Sequence, residues 1–134
     1  MASSPVPAPK SIANMLLQAA RQDEAASRLL SSSTEISDAV IGFNAQQAAE
    51  KAIKAVLSEH GVEFRRTHDL IALLDLLEDN QLPSPPHADW LDELNPYAVE
   101  ARYGTIEPDG LDRNHVLAVV AAVVGWAQSQ LKPC

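Results

Sequence analysis

Five side chains of chemical interest, Phe43, Gln47, Glu50, Lys51 and Lys54, recur around the stretch NAQQAAEKAIKAVLSEHG, Asn44 to Gly61. At about 100° per residue they fall on one side of a helix, while Ala45, Ala48, Ala49, Ala52, Ile53 and Val56 fall on the other. A ring, an amide and two ammonium groups in one stripe suit a nucleotide or an RNA backbone, the ring stacking on a base and the lysines meeting phosphate. The same stripe also describes a solvated face, with Glu50 and Lys54 in the i, i+4 order that supports an exposed helix by about 0.3–0.5 kcal/mol. Both readings stand at this level. The alanines on the opposite side need only close packing against a neighbouring helix.

The four histidines divide by context. His68, with Asp69 beside it, opens a leucine-rich segment, where a His and an Asp serve either as helix-start chemistry or as hydrogen-bonding groups of a pocket beside the lysine face. His115 lies early in the last apolar segment, and His60 and His87 read as surface positions. No His, Asp and Glu arrangement has HExxH-type spacing, and the single cysteine, Cys134, rules out an intramolecular disulfide and a cysteine-based zinc site. None of the five glycines forms a GxGxxG or GxxxxGK pattern, which excludes Rossmann and P-loop nucleotide binding. Neither metal nor cofactor is expected.

Helices must position these groups. Ile12, Leu16, Ala19, Ala20, Ala26 and Leu30 recur at helical spacing, with Ser11 as a candidate N-cap. After the break SSST, Ile41 to Val56 marks a long second helix, and Gly61 suits its stop. Thr67 is the expected cap of a third, carrying the stripe Leu70, Leu73, Leu74 and Leu77, with Asp69 in its first turn. A fourth is expected from Ser84 and Pro85. Pro96 should interrupt it, leaving Asn95 to cap a short piece from Pro96 to about Tyr103 that ends at Gly104. Asp112 is the expected cap of a last helix to about Leu131, in which Val116, Val119, Val120, Val123, Val124 and Ala127 leave little polar surface. No stretch alternates with period two, so the expected class is all-α.

The chain has 134 residues, one ordinary domain, and a net charge of −8. No Lys/Arg block suits autonomous duplex-DNA binding. The opening MASSPVPAPK, residues 1–10, reads as a disordered leader without the apolar core of a signal peptide. The longest apolar run, Val116 to Ala127, is shorter than the roughly 20 residues that cross a bilayer, so no membrane partner is expected and a cytoplasmic setting fits.

In their order and spacing, AARQDEAASRLL, QQAAEKAIKAVLSEHG, RRTHDLIALLDLL, EARYG and the final apolar helix resemble the HEPN family, a domain of higher eukaryotes and prokaryotes linked to nucleotide binding. The resemblance covers about Ile12 to Leu131. It implies an antiparallel bundle of roughly four to five helices over residues 11–132, a homodimer, and a partner nucleotidyltransferase. His68 and Asp69 match the family's Thr-His-Asp start of the third helix, and Arg102 and Tyr103 match its Arg-Tyr pair. Many relatives are metal-independent ribonuclease toxins, in which an arginine precedes a histidine by about four to six residues; the histidine moves a proton and the arginine stabilises phosphorane charge. Here Arg102 is followed by YGTIEPD, one residue separates Arg113 from His115 and Arg66 from His68, and Arg65 precedes His68 by three. The expected function is therefore a dimeric binding module for a nucleotide, an RNA or a nucleotidyltransferase. Its ligand set is Phe43, Gln47, Glu50, Lys51, Lys54, His68, Asp69, Arg102 and Tyr103. The alternative is a ribonuclease toxin of a toxin-antitoxin pair, in which Arg102 and His115 converge across a dimer.

Overall fold

The computed structural model describes residues 9–98 and 110–131. Four α-helices, α1 (Pro9–Leu30), α2 (Asp38–Glu59), α3 (Leu70–Asp79) and α4 (Arg113–Gln130), and a 3-10 helix, Leu91–Tyr97, form the expected all-α antiparallel bundle. Among the described residues there is no strand, and no helix is long and apolar enough to cross a membrane.

The centre of the bundle is α2, which packs against α1, α3, α4 and the 3-10 helix. Its alanines 45, 48, 49, 52 and 55 are fully buried, as are Ala13 and Ala20 of α1. Small side chains on facing surfaces bring the two backbones close, and dense packing there gains dispersion energy from many short contacts. Ser27, fully buried on α1, donates to the Ile41 carbonyl of α2 at 3.2 Å and so satisfies its own hydroxyl. All six residues expected to line the inner side of α4 are buried. α4 turns Ala118, Ala121 and Gly125 to solvent, and the helix that packs against every other element is α2.

Several ends differ from expectation. α1 is already helical at Pro9, so Ser11 lies inside it and is not its cap; residues 1–8 of the expected leader lie outside the described residues. Ser37 caps α2, and Gly61, at φ 69°, ends it as expected, with Val62 N–H donating to the Leu57 carbonyl at 2.9 Å. Asp69 caps α3 through Ile71 N–H at 3.0 Å, while Thr67 accepts from Asp69 N–H two residues earlier. Asn95 does not cap a helix of its own. Its amide oxygen accepts from Leu70 N–H at 2.9 Å and its amide nitrogen donates to Asp69 at 3.0 Å, reinforcing the start of α3. Ser84 and Pro85 open turns, not a helix, and the 3-10 helix runs through Pro96 without a break. A short 3-10 piece has few internal bonds to lose to proline, which makes this tolerable. From Val99 on, the expected Pro96–Tyr103 piece lies outside the described residues.

Asp112 caps α4 as expected, accepting from His115 N–H at 3.1 Å. The next residue, Arg113, closes the bundle. Its guanidinium donates to Asp38 of α2 at 2.8 Å and to the Ser31, Ser33 and Ile36 carbonyls of the α1–α2 turn. One fork of donors thereby satisfies three turn carbonyls and a carboxylate.

Candidate ligand-binding edge between α2 and α3

The polar stripe of α2 is not a solvated face. Glu50 has a side chain only 4% exposed and is saturated: Oε1 accepts from His68 Nδ1 at 2.9 Å and Gln46 Nε2 at 3.2 Å, and Oε2 from Lys54 Nζ at 2.9 Å. The Glu50–Lys54 pair expected at the surface is therefore enclosed, with Lys54 12% exposed and its ammonium 5.6 Å from the Phe64 ring centroid. Lys51 reaches back to Asp23 of α1 at 2.7 Å. Both lysines expected to meet phosphate already hold carboxylates. The wheel separates apolar from polar positions correctly but cannot show that α2 is covered on its polar side as well, by α1 and by the loop before α3.

Gln46 was not among the expected site residues, yet it organises this edge. It is fully buried, and its amide nitrogen spends both protons, on Glu50 and on the His68 carbonyl at 2.9 Å, while its oxygen accepts from Gln47 at 2.8 Å. The sequence signal was its i, i+4 spacing to Glu50 together with its place at the boundary of the alanine face. Phe43 is half-buried.

His68 is the member of this network that faces solvent, with a side chain 54% exposed. An ionised carboxylate only accepts, so Nδ1 carries the proton that bridges to Glu50 and Nε2 is left as the outward nitrogen. Arg65 and Arg66, just upstream, are exposed and form no ion pair or side-chain hydrogen bond among the described residues. Asp69 is committed to capping α3 and to Asn95. The structure thus joins Gln47, through Gln46, to Glu50, Lys54 and His68, places Lys51 against α1 and Asp69 at the start of α3, and leaves Arg65 and Arg66 on the exposed segment just before His68. Arg102 and Tyr103 lie outside the described residues.

His115 is not part of this edge. Its imidazole packs edge to face on Trp90 at 4.9 Å between centroids, 6.3 Å from the His87 ring, beside a cleft of about 300 Å³ between the 3-10 helix and α4. Among the described residues no group of three His, Cys, Asp or Glu side chains is placed to hold a metal ion.

Comparison with known proteins accords with this architecture. A family model described as the HEPN domain matches residues 13–130. The crystal structure of an archaeal HEPN homologue superposes with a TM-score of 0.64 at 22% identity, covering 90% of this chain and 98% of that one, a likeness of fold. No curated protein matches the chain.

Proposed function

Because the chain belongs to the HEPN domain family, over residues 13–130, we propose that it is a dimeric binding module that holds RNA or nucleotide phosphate at the α2–α3 edge and works beside a partner nucleotidyltransferase. The observation that carries this reading is the half-exposed His68, fixed by buried Glu50 and adjoined by the two exposed arginines, Arg65 and Arg66. An imidazole held by a buried carboxylate loses little freedom on meeting a ligand, and guanidinium groups without an ion pair among the described residues keep their charge for phosphate. In this reading the phosphate contacts move from Lys51 and Lys54 to the arginines, and Gln47 and Phe43 flank the ligand.

Fluorescence anisotropy with labelled ATP, GTP and short single-stranded RNA tests it. Binding should weaken about tenfold or more in Arg65→Glu with Arg66→Glu, and stay unchanged in Lys51→Ala. No binding by the unaltered protein removes the nucleotide and RNA half of the reading. A monomer in sedimentation at micromolar concentration removes the dimer, and failure to co-purify with a co-expressed minimal nucleotidyltransferase removes that partner.

A second reading, a metal-independent ribonuclease toxin, draws on the exposed His115 at the mouth of its cleft, where an imidazole is accessible for proton transfer. It needs Arg102 to approach across a subunit boundary. Growth arrest that persists in Arg102→Ala with His115→Ala excludes those residues, and absence of RNA cleavage excludes the class.

A further inference from the structure

The net charge of the chain is unevenly distributed. Residues 67–101 contain eight of the eighteen Asp and Glu and none of the ten Lys and Arg, so the rest of the chain is balanced and this one stretch accounts for the whole −8. It builds α3 and the 3-10 helix, which pack together, and Asp75, Glu78, Asp79, Asp92 and Glu93 stand exposed on them without an ion pair among the described residues.

Between the 3-10 helix and the start of α4 lies the cleft of about 300 Å³, lined by Trp90, Tyr97, Leu111 and His115 and by the acidic residues Glu93 and Asp112. Trp90 and His115 meet at 87°, which gives the cleft an aromatic corner. Asp112 uses Oδ1 to cap α4, and its Oδ2 carries no hydrogen bond among the described residues. Burial, and then the charge of Asp38, raise the pKa of Tyr97, which keeps its hydroxyl protonated. Among the described residues no lysine or arginine lines the cleft.

Aromatic faces beside carboxylates fit one ligand chemistry in particular. A guanidinium is planar and weakly hydrated, stacks on aromatic rings and donates in a fork to carboxylate. A phosphate-bearing ligand would bring its charge against Glu93 and Asp112. We propose that this cleft seats an arginine side chain of a basic partner protein, whose further Lys and Arg residues lie along the acidic face of α3 and the 3-10 helix. The proposal is independent of the RNA reading and uses the opposite charge.

Trp90 reports directly on the cleft once the other tryptophan is removed. In a Trp126→Phe background, an alternating Arg-Gly peptide should change Trp90 emission saturably, and a Lys-Gly peptide of equal length should bind several-fold more weakly. Glu93→Gln should weaken the Arg-Gly peptide about tenfold, and raised salt should weaken it further. Calorimetry on the unaltered protein gives the same ranking without the reporter substitution, so loss of folding in Trp126→Phe cannot obscure the result. Absence of saturable binding by the Arg-Gly peptide in both assays overturns the proposal, as does equal affinity in Glu93→Gln. Guanosine monophosphate seated in the cleft would overturn it in favour of a nucleobase pocket. Glu93→Gln should leave RNA binding at the α2–α3 edge unchanged, which separates failure of this proposal from failure of that one.

Discussion

Glu50 is a residue whose worth depends on its partners staying in place. Three donors meet its carboxylate, and of these the Lys54 ammonium is the enclosed charge that has no other carboxylate beside it among the described residues. Replacing it with Gln keeps the shape but removes the charge, leaving the Lys54 ammonium enclosed without a counter-ion. Breaking a buried pair on one side costs about 3 kcal/mol, more than the pair itself contributes, because the remaining charge is still desolvated. Urea denaturation of Glu50→Gln should show a midpoint lowered accordingly at unchanged slope. Glu50→Gln with Lys54→Met should recover part of the loss, since the orphaned charge is gone; no recovery would mean that His68 and Gln46, not Lys54, set the cost.

At the scale of elements, the helix α2 shows what periodicity can and cannot say. Its apolar face, its stop at Gly61, the Asp112 cap and the inner face of α4 were all readable, because capping residues and 3.6-residue spacing are local properties of the chain. What was not readable is that α2 is covered on its polar side too, so that Lys51 and Lys54 each hold a carboxylate. That depends on where Asp23 and His68 arrive, separations of 28 and 18 residues from their partners. The Pro96 region failed for a related reason: Asn95 has the right chemistry for a cap but spends it on the neighbouring helix α3. Gly42 belongs to the same class of tertiary facts. A Cβ there would enter the ring of Tyr97, so the 3-10 helix lies against α2 only because this position has no side chain. Gly42→Ala should therefore destabilise the fold by about 1–3 kcal/mol, despite alanine's better helix propensity. Thermal unfolding should show the penalty reversed in sign when Tyr97→Ala is added, and a penalty that persists in the double variant would place the strain elsewhere.

At the scale of the whole molecule, charge is sorted as well as summed. The exposed carboxylates of α3 and the 3-10 helix form no ion pair among the described residues, so their mutual repulsion strains the folded state. Raising sodium chloride from about 0.02 to 0.2 M shortens the screening length to near 7 Å and should raise the melting temperature by a few degrees. Asp75→Asn with Glu78→Gln and Asp79→Asn should raise it at low salt and flatten the salt response; an unchanged salt response in that variant would show that repulsion on this face is not the source. Arg113 places a different demand on the whole chain, one of time. The carbonyls of Ser31, Ser33 and Ile36 obtain this donor from a residue about 80 positions later, so during synthesis the first helical hairpin must wait, with its turn open to water, until most of the chain has left the ribosome. The hairpin that packs most closely in the finished bundle is thus locked last, by the first residue of the final helix.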